Sequence, residues 1–211
     1  MRKWLLTAWC MLPVGATAYH YGPGQDRVAL DMAGELVAEA REHAARGRAL
    51  TEEANELAAS SEFAQAENAF SEALALLPAK KVEESWALRV ERAKCQLLCS
   101  KLPDANADMT SLIEELAHGQ DVDPELMREA RRTYANSQYY MTWLMRLEGV
   151  GRDEWEPRIE SARQTYKLLA EESQGASAGD ELERDREDLE AAIRLARMDL
   201  TELQGLPLPS Q

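Results

Sequence analysis

Between Glu62 and Pro78 the chain reads EFAQAENAFSEALALLP. Ala66, Phe70 and Ala73 stand four and then three residues apart, the spacing that places side chains on one face of a helix. Small residues at two of the three positions let a neighbouring helix approach closely, and Phe70 fills the gap beside them. Pro78 sets the end, because the residue before a proline is pushed out of the helical region. Two later segments keep the same spacing: Ala105, Met109 and Leu112, then Ala162, Tyr166 and Leu169. Three such faces commit the chain to packing helix on helix.

The rest of the sequence agrees. Ala, Glu, Leu and Arg dominate, β-branched and aromatic residues are sparse, and no window alternates apolar and polar for long enough to make a strand. Turn-like breaks fall near Gly47, Pro78 and Pro103, from Ala117, from Gly149 and from Ser173. The runs between them have apolar spacing near 3.6. Helices joined by short loops pack antiparallel, so the expected fold is all-α, a string of antiparallel helical hairpins.

Residues 47–80 resemble the tetratricopeptide repeat, a helix-turn-helix unit whose second helix carries Ala-x3-Phe and a closing Pro. Phe63 stands at the turn, where that family places an aromatic. The preceding helix, RALTEEANELAASS, has Leu50, Glu53, Ala54 and Leu57 at the family's Trp-x2-Leu-Gly-x2-Tyr positions, and Glu53 departs from the pattern. The two later segments lack the closing proline, and their leading alanines lie 39 and 57 residues apart, beyond the family's period of about 34. The resemblance implies a short array of stacked hairpins whose leading helices face a groove that binds protein or peptide. It makes Asn55, Arg89 and Arg92, on leading helices, candidates for that groove.

Stacked repeats need covered ends. Leu189, Ile193, Ala196, Leu200 and Leu203 form a seam suited to a C-terminal capping helix, with Glu187, Glu190, Arg194 and Arg197 opposite and Gly205 and Pro207 as the stop. Val28, Met32, Leu36 and Ala40 make a similar core stripe in the first helix. The expected domain is 26–204, preceded by an exposed leader at 19–25 and followed by an extended tail at 205–211.

Residues 1–18 open with Arg2 and Lys3, continue apolar from Trp4 to Ala16, and close with Ala16-Thr17-Ala18. These are the three parts of a secretory signal peptide, too short to span a bilayer, which takes about 20 apolar residues. The expectation is export to the periplasm or medium of a bacterium. The whole chain carries 24 basic and 38 acidic residues. Loss of Arg2 and Lys3 leaves 22 against 38, a net charge of −16, which repels nucleic acid and anionic lipid.

Motifs for chemistry are absent: no GxxxxGK[ST], GxGxxG or GxSxG occurs. His20, His43 and His118 are far apart, without metal-ligand spacing. Cys95 and Cys99, four apart on the helix ESWALRVERAKCQLLCSK, read as small apolar core residues beside Leu88 and Leu102; the alternatives are a redox pair or half a metal site. In NSQYYMTWLMRLEG, Asn136 to Gly149, large apolar residues cover nearly every direction around a helix. Such a helix is central in a domain, or partly exposed to a partner. Tyr139, Tyr140, Trp143 and Arg146 are therefore the first candidates for a partner surface. The expected function is a non-catalytic protein–protein interaction module of the extracytoplasmic space, without cofactor or metal. The alternatives are a small-molecule or lipid binder with an internal pocket beside Trp143, and third an enzyme, which a tight cluster of buried carboxylates would favour.

Overall fold

The computed structural model describes residues 23–176 and 179–203. The segment 1–18, the start of the leader and the tail 205–211 lie outside them. Within them the chain is helical throughout, with no strand. The helices are α1 (Pro23–Glu52), α2 (Glu56–Leu76), α3 (Val82–Leu98), α4 (Leu102–His118), α5 (Pro124–Leu147), α6 (Arg152–Ala176), α7 (Gly179–Arg197) and the single turn α8 (Leu200–Leu203). Each packs chiefly on its neighbours in sequence. α1–α2, α3–α4 and α5–α6 are antiparallel hairpins, and α7 follows the third.

The apolar core falls into three clusters, and each joins one hairpin to the leading helix of the next. The first unites α1 and α2 with Leu88 and Cys95 of α3. The second unites Val90 and Ala93 of α3 with α4 and Ala130 of α5. The third unites α5 and α6 with Ala192 and Leu195 of α7 and Leu203 of α8. One four-and-three triplet lies at the centre of each, and all nine of these residues are buried. α7 thus stands where a fourth leading helix would stand, and it closes that end of the array.

Ion pairs stitch the leading helices side by side. Arg41 of α1 grips Glu91 of α3 with two nitrogens, at 2.6 and 3.0 Å. Lys94 of α3 pairs with Glu129 of α5. Arg128 of α5 reaches Glu181 of α7 at 2.6 Å, and Arg132 reaches Asp185 at 2.7 Å.

Several boundaries differ from expectation. α1 begins at Pro23, where a missing N–H costs nothing in a first turn, so the leader does not extend to residue 25. It then runs straight through Gly47. A Cβ there would come within 2.8 Å of the Phe63 ring, so Gly47 is the gap that lets α2 lie close and is not a break. The chain turns instead at Ala54 (φ +57°). The unit 47–80 consequently straddles the end of α1, a turn and α2. Glu53 and Ala54 sit in the turn, and Leu57 is 89% exposed. α2 ends as expected, with Leu77 extended before Pro78. α3 ends at Leu98, one residue before Cys99, and Ser100 turns with φ +63°.

The two end helices are rotated from their expected seams. In α1 the buried face is Ala33, Ala40, Ala44 and Gly47, while Val28 and Met32 are 60% and 50% exposed. In α7 the buried face is Asp185, Asp188, Ala192 and Leu195, and Ile193 turns outward. The reason is electrostatic: Arg132 and Ser173 wait in the α5–α6 groove and draw Asp185 inward. α7 stops at Arg197, before Gly205, because Arg146 takes up the carbonyls of Leu195 and Met198.

Candidate functional site

The aromatic helix is the centre of the molecule. Tyr139 is 1% and Tyr140 7% exposed, their rings edge to face with centroids 5.6 Å apart. Trp143 packs against the third core cluster. Arg146 is buried, donates to the C-terminal carbonyls of α7, and lies 4.8 Å over the Trp155 ring. Tyr139 and Tyr140 belong to the cluster that joins α5, α6 and α7, with Trp143 against it, and Arg146 ties α5 to Trp155 and to the end of α7. Burial removes Tyr139, Tyr140 and Arg146 from any partner surface, because a docking chain reaches only what solvent reaches.

The three secondary candidates are also occupied. Asn55 caps α2, its side-chain oxygen accepting from the Ala58 N–H. Arg89 bonds Asp108 at 2.9 Å and Glu115 at 2.8 Å, and Arg92 bonds the other oxygen of Asp108 at 2.8 Å. Both arginines therefore point at α4, inside their own hairpin, and do not meet the aromatic cluster.

A cleft does open on the leading-helix side, and its charged rim was not singled out in the sequence. It has a volume of about 240 Å³ and runs between α1 and α3 to Glu129 of α5. Half-buried Ala87 and Leu98 form the part of the apolar floor that solvent reaches, over buried Phe63, Phe70 and Cys95, and Arg41, Arg48, Glu91, Lys94 and Glu129 form the rim. Arg41 and Lys94 are neutralised by Glu91 and Glu129. Arg48 has no carboxylate partner among the described residues. It projects from α1 one residue past Gly47, on the stretch that reads as a turn in sequence; continuation of α1 through Gly47 is what carries it to the cleft. Burial pushes the Cys95 thiol up to about 12, with a further push from Cys99 against a downward pull from Arg48. Cys95 is thus a neutral thiol at the cleft floor, and Cys99 is half-buried at the end of α3; neither is in a disulfide. Leu102 belongs to the third cluster and not to the Cys95 environment.

Two buried carboxylates occur together, on α7. Asp185 receives Arg132 at 2.7 Å and Ser173 at 2.6 Å. Asp188 is 2% exposed, and its Oδ2 has no hydrogen-bond partner. Burial pushes Asp188 up to about 7, against the pull of Arg132. Neither residue lines the cleft or the surface depressions beside Ile193, Met32 and Pro124, and Trp143 lines none of them either. The acidic pair is sealed between α5, α6 and α7, where it fixes the seating of the last helix.

Among the described residues no three His, Cys, Asp or Glu side chains converge to hold a metal, and no helix is long and apolar enough to cross a membrane. His43 bonds Glu62 at 2.7 Å and His118 lies 2.7 Å from the Glu114 carbonyl. The molecule is an all-α stack of three helical hairpins and a closing helix. No family model, curated protein or solved structure matches the chain.

Proposed function

We propose that this protein is a non-catalytic, extracytoplasmic interaction module of the tetratricopeptide-like type. It holds a segment of another protein in the cleft between α1, α3 and α5. The observation that carries this reading is Arg48, an uncompensated cation at the rim of an apolar floor, on a chain otherwise dominated by acidic groups. An apolar side chain next to a carboxylate in the partner would satisfy both features. The apolar part gains from leaving water, and the carboxylate gains a charge-assisted bond to a guanidinium that loses no existing pair.

The export part of the proposal rests on residues 1–18, with their cationic start, short apolar run and small-residue close. Intact mass of the protein from its native host tests it: a mature chain beginning at Tyr19 is expected. For the cleft, wild type and Arg48→Glu are compared as baits in the native envelope. The expected result is one captured protein that Arg48→Glu loses at least tenfold, with unfolding temperatures equal because Arg48 supports no other residue. Equal capture by both baits removes the cleft from the proposal.

A further inference from the structure

The end of the array opposite α7 presents a second surface, distinct from the cleft. Val28, Met32 and Leu36 descend α1 at steps of four, and Ala75 and Leu76 of α2 lie beside them. The depression between the two helices has a volume of about 510 Å³ and is lined by Met32, Glu35, Leu36, Glu39, Glu72, Ala75 and Leu76 alone. Val28 and Met32 are the most exposed large apolar residues of α1. Stacked repeats gain their stability by covering such faces, and the equivalent face at the other end is covered by α7. Here the described chain supplies no covering helix.

The charged residues that line the depression are all acidic. Glu35 and Glu72 have no ion pair among the described residues, and Glu39 has only His43, at 3.9 Å. Some carboxylates elsewhere are paired across helices, as in Arg41–Glu91, Arg46–Glu62 and Arg128–Glu181; Glu35, Glu39 and Glu72 are not. A second copy of the chain would set these three glutamates against a like-charged face. That costs energy, since juxtaposed like charges suppress association.

We propose that the α1–α2 end face is a docking site for a cationic amphipathic helix of a partner protein. The helix lies along α1 as one more element of the array. Its apolar side covers Val28, Met32, Leu36 and Leu76, and its Lys or Arg residues reach Glu35, Glu39 and Glu72. From Val28 to Leu36 the stripe is about 12 Å long, enough for two to three turns of the incoming helix.

The test uses the mature chain and an 18-residue fluorescent peptide of Leu and Lys in amphipathic order, with binding read by anisotropy. Saturable binding is expected. It should weaken at least tenfold in Met32→Asp, and at least tenfold in the triple variant Glu35→Lys, Glu39→Lys, Glu72→Lys. A matched triple on α7, Glu183→Lys, Glu187→Lys, Glu190→Lys, should change binding less than twofold. A peptide of the same composition in scrambled order should bind at least tenfold more weakly. Circular dichroism checks that each surface variant is folded. Equal loss in the two triples would mean attraction to general acidity and would overturn the site. Equal binding of the scrambled peptide would do the same. Sedimentation showing a dimer that Met32→Asp dissociates would assign the face to a second copy and overturn the proposed partner.

Discussion

Asp188 lies in the packed interior of α5–α7, facing Arg132 and Asp185 with Arg184 and Glu187 nearby on its own helix. Tyr139 and Tyr166 both feel its charge, and burial raises both phenols. Unfolded, its carboxyl titrates near 3.9; folded, near 7. The folded state therefore holds the proton more tightly. The stability this contributes is complete below about pH 4, declines as pH rises, and is gone above about pH 7. Over that window the loss is on the order of 2–4 kcal/mol. Asp188→Asn should flatten the decline, and urea unfolding at pH 4, 5, 6 and 7 measures it. A variant with the wild-type slope would show that another group titrates. At the thiols, Cys95 should resist a labelling reagent in the native protein and react on denaturation, with Cys99 intermediate. Replacing both by Ala should cost about 1–3 kcal/mol in lost packing.

Gly47 shows what an element can hide. Read along the chain, a glycine flanked by arginines is a natural break; in the fold it is the point where α1 meets the Phe63 ring. Gly47→Ala gains about 1 kcal/mol of helix propensity, but it forces a Cβ into a buried ring at 2.8 Å. Overpacking of this kind costs about 1–3 kcal/mol, so a net loss of up to about 2 kcal/mol is expected in thermal unfolding. The end of α7 is governed by Arg146. Arg146→Met keeps the stem but strands the Leu195 and Met198 carbonyls, and should cost about 2–4 kcal/mol. Exchange of amides in the last turns of α7 should rise with it. Both elements were misjudged from sequence for one reason: the deciding partner, Phe63 in one case and Arg146 in the other, is distant along the chain. The buried Asp185 and Asp188 add to this, since a seam of acids runs against the rule that polar residues face water.

At the scale of the whole molecule the architecture was legible. The nine residues of the three triplets identified the trailing helices α2, α4 and α6, and each triplet proved central to one core cluster. Periodicity reports burial, so it located the core. The candidate site was not legible for the same reason. Large aromatics are drawn to the centre of a small domain, and Tyr139 and Tyr140 went there. The cleft is marked by Arg48, one of several basic residues without an ion pair among the described residues, and its place at the rim is visible only in three dimensions.

Because helices pack chiefly on their neighbours in sequence, no segment must wait for a distant one before it can fold. Little loop entropy stands in the way, and such topologies fold fast. The α1–α2 hairpin can form first and serve as a template on which α3 settles, then α4, in the order in which a chain threads out of a ribosome or a translocation pore. The α1–α2 end face and much of the cleft would then be in place before α7 has emerged.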